Sequence, residues 1–339
     1  MRPLFVDGHP DGQVSGSPRG TVGIVSLASS VSVVVITRDR PRELKVCLGA
    51  VLSSTFRDFD LVVVDQSVQP ASAHVVRQFA ERDSRVRHVP DRYTGAARAR
   101  NIGTAATRGD IVVFTDDDCE PAPDWLGTLV ASMRDDSSVG IAYGSVIPRP
   151  HSREDGFIIG FLPKKRLRLK GRVSKLHDHG ISANVALRRS ALEATGGFDA
   201  MLGPGSYFPC AEDFDMTYRV LRSGYALLHV PEARVVHHGL RDWQSGSAQV
   251  RHTYLAIGAA YMKHLRRRDV MGLVLLAQEM WLAVVNILRN SVRRRGPFGF
   301  GRLRGLLMGM WRSFELDVEH DRALYRDQRH ASCDVTGRR

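Results

Sequence analysis

The chain has 339 residues, of which 43% are hydrophobic and 25% are charged, and its formal net charge is +12. This is the composition of a folded protein, and the length suffices for one large domain or two small ones. The positive charge favours anionic partners such as nucleic acid, anionic lipid or phosphorylated substrates. The absence of Cys-x-x-Cys spacing argues against a disulfide framework and favours a reducing, cytosolic compartment. The four cysteines are Cys47, Cys119, Cys210 and Cys333.

Residues 1–29 are predicted to form a disordered leader. The stretch from Met1 to about Gly20 is rich in Gly, Pro, Ser and Asp. It lacks the apolar segment of a secretory signal, so we expect no signal peptide there.

Strands and helices alternate in the next part of the chain. The β-branched run at 31–36 is typical of a central strand in a parallel sheet, and Pro41 suits the first turn of the following helix. The pattern then predicts a helix to Leu52, followed by strands at 60–65 and 86–89 and helices at 73–81 and 95–103. This alternation predicts a doubly wound α/β sheet.

Three consecutive aspartates follow the next predicted strand. Residues 111–114 read Ile-Val-Val-Phe, and Asp116, Asp117 and Asp118 come directly after Thr115. Three carboxylates at the end of a strand repel one another unless a cation lies among them, and Mg²⁺ and Mn²⁺ prefer carboxylate oxygen. A solvated acidic turn is the alternative for such a triplet taken alone.

Polar residues also end the two earlier strands. Thr37 and Asp39 follow the first strand, and Asp65 ends the second. Because the carboxyl ends of parallel strands lie along one edge of a sheet, we expect these residues to meet the aspartate triplet there. Each alone is readily explained as a turn or N-cap residue, but together they predict one ligand site.

The second half of the predicted site begins with a small-residue segment. Residues 180–188 predict a strand facing a cleft, and the helix that starts at Ser190 is predicted to end at Gly196 and Gly197. Residues 201–210 contain Gly-Pro-Gly, a composition typical of active-site lids.

A second acidic motif follows that loop. Glu212 and Asp213 begin a predicted helix, whose dipole favours ionised carboxylates in its first turn. Helix-capping acids are the alternative, and Asp215 is expected to point away and to be structural. Residues 230–236 predict a final edge strand, which leads to the pair His237 and His238.

Together, these separated motifs resemble those of family 2 glycosyltransferases with the GT-A fold. The resemblance covers about 31–239 and rests on stretches that occur in the family's order: 33–41, 64–67, 97–103, 114–118 and Glu212-Asp213. It implies a GT-A-type nucleotide-binding sheet with flanking helices. The chain departs from the family pattern at Ile36, where Pro is common, and at Asp65-Gln66-Ser67, where Asp-Asp-Gly-Ser is common.

The resemblance also implies roles for the donor-side residues. It assigns the donor nucleotide to seven positions, which are Thr37, Asp39, Arg40, Asp65, Arg100, Asp116 and Asp117. It assigns Mg²⁺ or Mn²⁺ on the diphosphate to Asp118. One of His237 and His238 is implied to contact the metal, and the sequence does not choose between them.

On the acceptor side, the resemblance implies that Asp213 is the catalytic base of an inverting sugar transfer. The sugar and acceptor region is implied to include Asn184, Gly196, Gly197 and Glu212. Two separated acidic motifs suit this chemistry, because one carboxylate cannot both hold a metal and take a proton from the acceptor hydroxyl.

Nearly all of the net positive charge lies near the carboxyl end. Residues 241–314 contain thirteen Lys and Arg residues but only three acids, Asp242, Asp269 and Glu279. Residues 270–288 are long enough to span a bilayer. However, Glu279, Asn286, Asn290 and Arg293 fall on one strip of a helix, which favours an amphipathic helix in the membrane interface. Packing against protein is the alternative.

The basic run at 164–170 predicts a solvated loop, or else a site for an anionic acceptor or membrane.

The predicted organisation has four parts. A leader at 1–29 precedes a catalytic domain at 30–240, with a donor half to about 121 and an acceptor half after it. A helical basic segment at 241–314 and a polar tail at 315–339 follow.

We expect a metal-dependent glycosyltransferase that uses a nucleoside-diphosphate sugar and a glycan or lipid-linked acceptor, peripheral on the inner face of the cell membrane. The alternatives are a nucleotide-sugar-binding protein without turnover and a nucleic-acid-binding protein, which the lack of an aromatic stacking platform disfavours. The oligomeric state stays open.

Overall fold

The computed structural model describes residues 30–152, 154–176, 180–292 and 300–326. The predicted leader, Arg293 of the predicted polar strip and residues 327–339 of the predicted tail lie outside the described residues. The strands are β1 (Val31–Thr37), β2 (Asp60–Asp65), β3 (Val86–Pro90), β4 (Ile111–Asp116), β5 (Cys119–Pro121), β6 (Val139–Pro148), β7 (Phe157–Ile158), β8 (Leu167–Lys170), β9 (Asn184–Arg188), β10 (Ala226–His237), β11 (Leu240–Arg241), β12 (Val318–Glu319) and β13 (Leu324–Tyr325). The α-helices are α1 (Pro41–Leu52), α2 (Ala71–Ala80), α3 (Ala96–Ala105), α4 (Trp125–Arg134), α5 (Arg189–Thr195), α6 (Glu212–Arg222), α7 (Trp243–Arg266), α8 (Val270–Val292) and α9 (Phe300–Arg312).

Nine of the described strands form one mixed sheet. Its order is β3-β2-β1-β4-β9-β6-β10-β5, and β8 also pairs with β10. The predicted parallel, doubly wound arrangement holds from β3 to β4, but β9 runs antiparallel to both of its neighbours. The strand predicted at 180–188 is shorter in the structure, where it begins at Asn184. The prediction of a final edge strand is wrong, since β10 lies between β6 and the short strands β5 and β8.

Alternating residues of the sheet build a core on each of its faces. In β1, Val33 and Val35 pack with Leu44 and Leu48 of α1, whereas Val34 packs on the other face with residues of α3, α5 and α6. The β-branched runs of the sequence are therefore buried on both sides, as a central parallel strand requires. This α/β sheet with flanking helices confirms the predicted fold class.

A third core joins α7, α8 and α9 to α6. Beside it lies a fully buried ionic cluster: Lys263 of α7 contacts Asp199 at 2.5 Å and Asp215 of α6 at 2.8 Å. Asp215 also accepts hydrogen bonds from Arg219 at 2.7 Å and His264 at 3.1 Å. The prediction that Asp215 is structural therefore agrees with its position. Removing one partner from such a cluster strands a buried charge and costs about 3–5 kcal/mol.

Helix α8 has one packed side and one exposed apolar side. Leu275, Leu276 and Ala283 are buried, while Leu273 and Trp281 are more than half exposed. Within the described residues, Val270–Arg289 is the segment long and apolar enough to cross a membrane, with a mean hydropathy of 1.8. The buried side packs on α7 and α9, which agrees with the protein-packing alternative for that side. The placement of the exposed side in a membrane interface stays a prediction.

The buried histidine of the ionic cluster makes stability depend on pH. Burial lowers the pKa of His264 to about 4, although its hydrogen bond with Asp215 opposes the shift. Between pH 6.5 and 4 the unfolded chain binds more protons at this residue than the folded chain, so the free energy of unfolding decreases as the pH is lowered. We expect a loss of about 2 kcal/mol between pH 7 and pH 5 from this residue alone.

Urea unfolding at several pH values measures this effect. His264→Gln should remove that part of the pH dependence. His74→Gln, at an exposed histidine of α2, should retain it. An identical pH slope in the wild type and His264→Gln would contradict the assignment.

Candidate active site

The carboxyl ends of β1 and β4 open into a cavity of about 840 Å³. The chain leaves β1 toward β2 on one side and returns as β4 on the other, so the cavity lies at the topological switch point of the sheet. Open α/β sheets bind ligands at this point. Thr37 of β1, Asp116 of β4, Asp213 of α6 and Thr253 of α7 all line the cavity.

Arg100 of α3 joins the two acidic motifs. Its guanidinium lies 2.9 Å from Asp116 Oδ1 and 3.2 Å from Glu212 Oε1, and the side chain is 3% exposed. Burial and the charge of Asp213 raise the pKa of Glu212 to about 7, against the opposing charge of Arg100. Asp116, Arg100 and Glu212 therefore form a buried bridge between the two halves of the site.

Asp117 is fixed by the end of β1. The Thr37 hydroxyl donates to Asp117 Oδ2 at 2.7 Å, and Arg40 contacts Asp117 Oδ1 at 3.2 Å. Burial raises the pKa of Asp117 to about 7, although Arg40 and Thr37 favour its ionised form. These contacts hold the ends of β1 and β4 together.

Asp118 lies between a histidine and an arginine. Its Oδ1 is 3.4 Å from His237 Nε2, and its Oδ2 is 2.7 Å from Arg40. Burial acts to raise the pKa of Asp118, but the hydrogen bond and charge of His237 and the charge of Arg40 lower it overall. His237 Nδ1 lies 2.7 Å from the Ile159 carbonyl, which can only accept, so Nδ1 carries a proton and Nε2 faces Asp118. A neutral Nε2 and a carboxylate oxygen at this distance need a proton or a cation between them.

The residues around Asp118 fit a hard divalent cation. The candidate ligand atoms of Asp118, Cys119 and His237 lie within 4.8 Å of one another. Burial raises the pKa of Cys119 well above its usual range, so its thiol is a poor ligand for Mg²⁺ or Mn²⁺. A methyl group at Gly239 would lie 2.7 Å from Asp118 Oδ2 and 2.8 Å from His237 Nε2. The glycine keeps the space beside both ligand atoms open, where water and phosphate oxygens complete the shell of such an ion.

The first turn of α6 holds Asp213 at the cavity. Ala211, the residue before the helix, has φ +73°, a left-handed conformation that non-glycine residues rarely adopt. Such strain costs about 1–2 kcal/mol, and it recurs at functional sites. Asp213 is half-buried, and its Oδ1 accepts the backbone N–H of Phe214 at 3.0 Å.

Not every predicted site residue lines this cavity. Asp39 has φ +55° and accepts the backbone N–H groups of Val68 and Gln69, so it fastens one loop to another. Asp65 is buried and binds the backbone of Ser67 and the ring of His88. Both predicted nucleotide residues thus shape the loops beside the cavity.

Three residues predicted for the sugar and acceptor region require correction. Asn184 is fully buried, where it accepts from Trp125 and donates to two backbone carbonyls. Gly196 and Gly197 both have φ near +78° and end α5 away from the cavity. These three residues build the framework, because their hydrogen bonds or conformations are used within the protein.

Of the two histidines, only His237 faces the carboxylates of the cavity. The His238 ring lies 3.2 Å from Glu120, and its backbone N–H donates to the carbonyl of Asp118. Alternating side chains at the end of β10 explain this division. The sequence reasoning missed Gly239, although it directly follows the histidine pair, and it missed Arg241, which also lines the cavity.

Comparison with known proteins was made for sequence and for structure. Residues 32–196 match the family described as Glycosyl transferase family 2. A relative from Haloferax volcanii, a glucosyl-dolichyl phosphate glucuronosyltransferase, is 27% identical over 218 residues, which are 61% of this chain and 68% of the relative.

Two solved structures share the fold. A mannosyltransferase from Pyrobaculum calidifontis, in complex with GDP-Man and Mn²⁺, has a TM-score of 0.57 and 17% identity and covers 85% of this chain and 88% of its own. GalNAc-T7 with UDP, GalNAc and Mn²⁺ has a TM-score of 0.52 and 18% identity, and the match covers 73% of this chain and 51% of that one. At these identities the likeness establishes the fold.

The space at Gly239 provides a test of the candidate metal site. Gly239→Ala places a methyl group against Asp118 and His237, so we expect Mn²⁺ affinity to fall about tenfold or more, because the ligand atoms must separate. Isothermal titration with Mn²⁺ measures it. Gly49→Ala on α1, where an added Cβ meets nothing within 4 Å, is the matched control. Equal Mn²⁺ affinity in both variants would argue against this position for the ion.

Proposed function

Residues 32–196 belong to glycosyltransferase family 2, which makes the chain a transferase, and we propose that it moves a sugar from a nucleoside-diphosphate donor to an acceptor hydroxyl with inversion. The observation that carries this proposal is the pairing, in one cavity, of Asp118 and His237 with the separate carboxylate Asp213. Sugar transfer needs both groups: a cation to offset the negative charge of the departing diphosphate, and a base to take the proton of the attacking hydroxyl.

On the donor side, Asp118 and His237 would hold Mg²⁺ or Mn²⁺. When bound, the ion supplies positive charge to the leaving diphosphate as a Lewis acid. The hydrogen bond between Thr37 and Asp117 joins the ends of β1 and β4, and Thr37, Asp116 and Asp117 line the part of the cavity where the donor nucleotide would bind. Ile36 and Gln66 also line the cavity, and we propose that these two departures from the family pattern shape the base pocket.

On the acceptor side, Asp213 would accept the proton of the attacking hydroxyl. A positioned base contributes about 10²–10⁴-fold to the rate. Glu212 is bound to Arg100 and is buried, so it is suited to orienting the start of α6 rather than to exchanging protons with an acceptor. Inversion follows when this base acts on the face of the sugar opposite the diphosphate.

The acceptor is proposed to be a glycan or lipid-linked hydroxyl at an anionic membrane surface. The exposed side of α8 carries Leu273, Trp281 and Leu288, which are 52%, 67% and 61% exposed. They lie in a segment with ten more basic than acidic residues, and this combination of apolar and basic surface suits a peripheral membrane contact. With the free, buried Cys47 and Cys119, it fits the cytoplasmic face of the cell membrane.

Release of nucleoside diphosphate from a panel of sugar nucleotides, with Mg²⁺ or Mn²⁺, tests the transferase. Asp213→Asn should lower transfer about 10²–10⁴-fold because the base is lost, while metal-dependent donor binding persists. Asp118→Ala should lose both binding and transfer. Isothermal titration of the nucleoside diphosphate separates the two effects.

The rival, a nucleotide-sugar-binding protein without turnover, predicts a different result. It would bind a donor with metal, and Asp213→Asn would behave as the wild type in every assay. If no sugar nucleotide binds with either metal, the donor proposal itself fails.

Sedimentation with vesicles tests the membrane contact. The affinity of the double variant Trp281→Asp, Leu288→Asp for vesicles containing anionic phosphatidylglycerol should fall by about tenfold or more, because two apolar side chains no longer enter the interface. Val68→Asp, at a 77% exposed residue of the donor half, is the control. Wild-type protein that stays in the supernatant at low salt would remove the membrane proposal.

A further inference from the structure

Two arginines bind the aspartate triplet, and they differ in how far their side chains are exposed to solvent. Arg100 binds Asp116 with a side chain that is 3% exposed. Arg40 binds Asp117 at 3.2 Å and Asp118 at 2.7 Å, but its side chain is 52% exposed. The first is locked in the core, whereas the second is half in solvent, so its guanidinium stays hydrated when another cation replaces it beside the carboxylates.

The position of Arg40 coincides with the need for a cation. Asp117 and Asp118 are nearly buried, with side chains 6% and 10% exposed. Two ionised carboxylates in such a place repel each other and lose hydration, so a nearby positive charge stabilises the site. Arg40 contacts Asp118 through Oδ2, the same oxygen that faces the open space beside Gly239.

The backbone at Arg40 is held in place, while its side chain is 52% exposed. Asp39 is fastened to the β2–α2 loop through Val68 and Gln69, and its own N–H donates to Ser67. Pro41 then starts α1 directly after Arg40. The guanidinium therefore extends from a fixed backbone position to the cavity that it lines, and its exposed side leaves room for a change of partner.

We propose that Arg40 is a resident counter-cation of the metal site, which yields Asp118 to the divalent ion and then binds the donor diphosphate. This inference rests on the proposed function and adds a binding order to it. Without nucleotide, the ion must compete with Arg40 for Asp118. With nucleotide, the displaced guanidinium gains phosphate oxygens as new partners, so metal and diphosphate strengthen each other's binding.

The first experiment titrates Mn²⁺ alone into the full-length protein. Arg40→Gln should bind Mn²⁺ about 3- to 10-fold more tightly than the wild type, because the competitor is gone. Arg38→Gln is the matched control: its side chain is 50% exposed and pairs only weakly with Asp39, at 3.8 Å. It removes the same charge without touching Asp118 and should leave Mn²⁺ affinity near the wild-type value.

The second experiment repeats the titration with saturating UDP or GDP. In the wild type the nucleotide should tighten Mn²⁺ binding strongly, and in Arg40→Gln this gain should shrink by about tenfold or more. Unchanged or weaker Mn²⁺ binding by Arg40→Gln without nucleotide overturns the proposal. So does an equal gain from nucleotide in both proteins.

The same titrations separate this inference from the proposed function. Asp118→Asn should abolish Mn²⁺ binding whatever Arg40 does. If the wild type and Arg40→Gln both fail to bind Mn²⁺, with and without UDP or GDP, the metal site is absent and both proposals fall. If Asp118 is required but Arg40→Gln equals Arg38→Gln, only the counter-cation is excluded.

Discussion

Like charges crowd the switch point of the sheet, and the cations that offset them organise the site. Asp116 ends β4 and Asp117 and Asp118 follow it directly, and the last two are 4% and 9% exposed. Carboxylates in such a place persist only with hydrogen bonds or opposite charges. Each aspartate has a different solution, since Asp116 uses Arg100, Asp117 uses Thr37, and Asp118 uses His237. Arg40 also contacts both Asp117 and Asp118, so two arginines and one histidine together offset the charge of the triplet.

The same principle links α6, which bears the proposed base, to the carboxyl-terminal helices. Lys263 is fully buried between Asp199 and Asp215, so α7 and α6 cannot separate without exposing or stranding charges. Asp215 lies two residues after Asp213 on α6, and Arg219 reaches from the same helix to the carbonyls that end α5. The position of the proposed base thus depends on a cluster outside the cavity. A cluster of this kind specifies one arrangement of the helices, because each charge has only one set of partners.

Local pattern and long-range pairing explain what the sequence could predict. The β-branched runs and their terminal aspartates fix β1, β2 and β4, and the fold class follows from them. The sequence could not predict that the side chain of Asn184 forms its hydrogen bonds with Trp125 and two backbone carbonyls, or that Asp39 binds the backbone of Val68. All of these partners are more than 25 residues away along the chain. The choice between His237 and His238 likewise depended on the pairing of β10 with β5. Gly239 gave no periodic signal, since its importance is the space it leaves rather than a contact it makes.

The family match ends at residue 196, before Asp213, His237 and α7. The matched part supplies the aspartate triplet and Arg100, and these are the proposed donor side. Glu212, Asp213 and Thr253 line the cavity from the part beyond the match, on helices tied together by the Lys263 cluster. Donor sugars share a diphosphate, whereas acceptors share only a hydroxyl, so an acceptor site is under weaker chemical constraint. We therefore expect the acceptor to be selected by residues 197–326, where the basic, apolar helices pack directly against the helix that bears the proposed base.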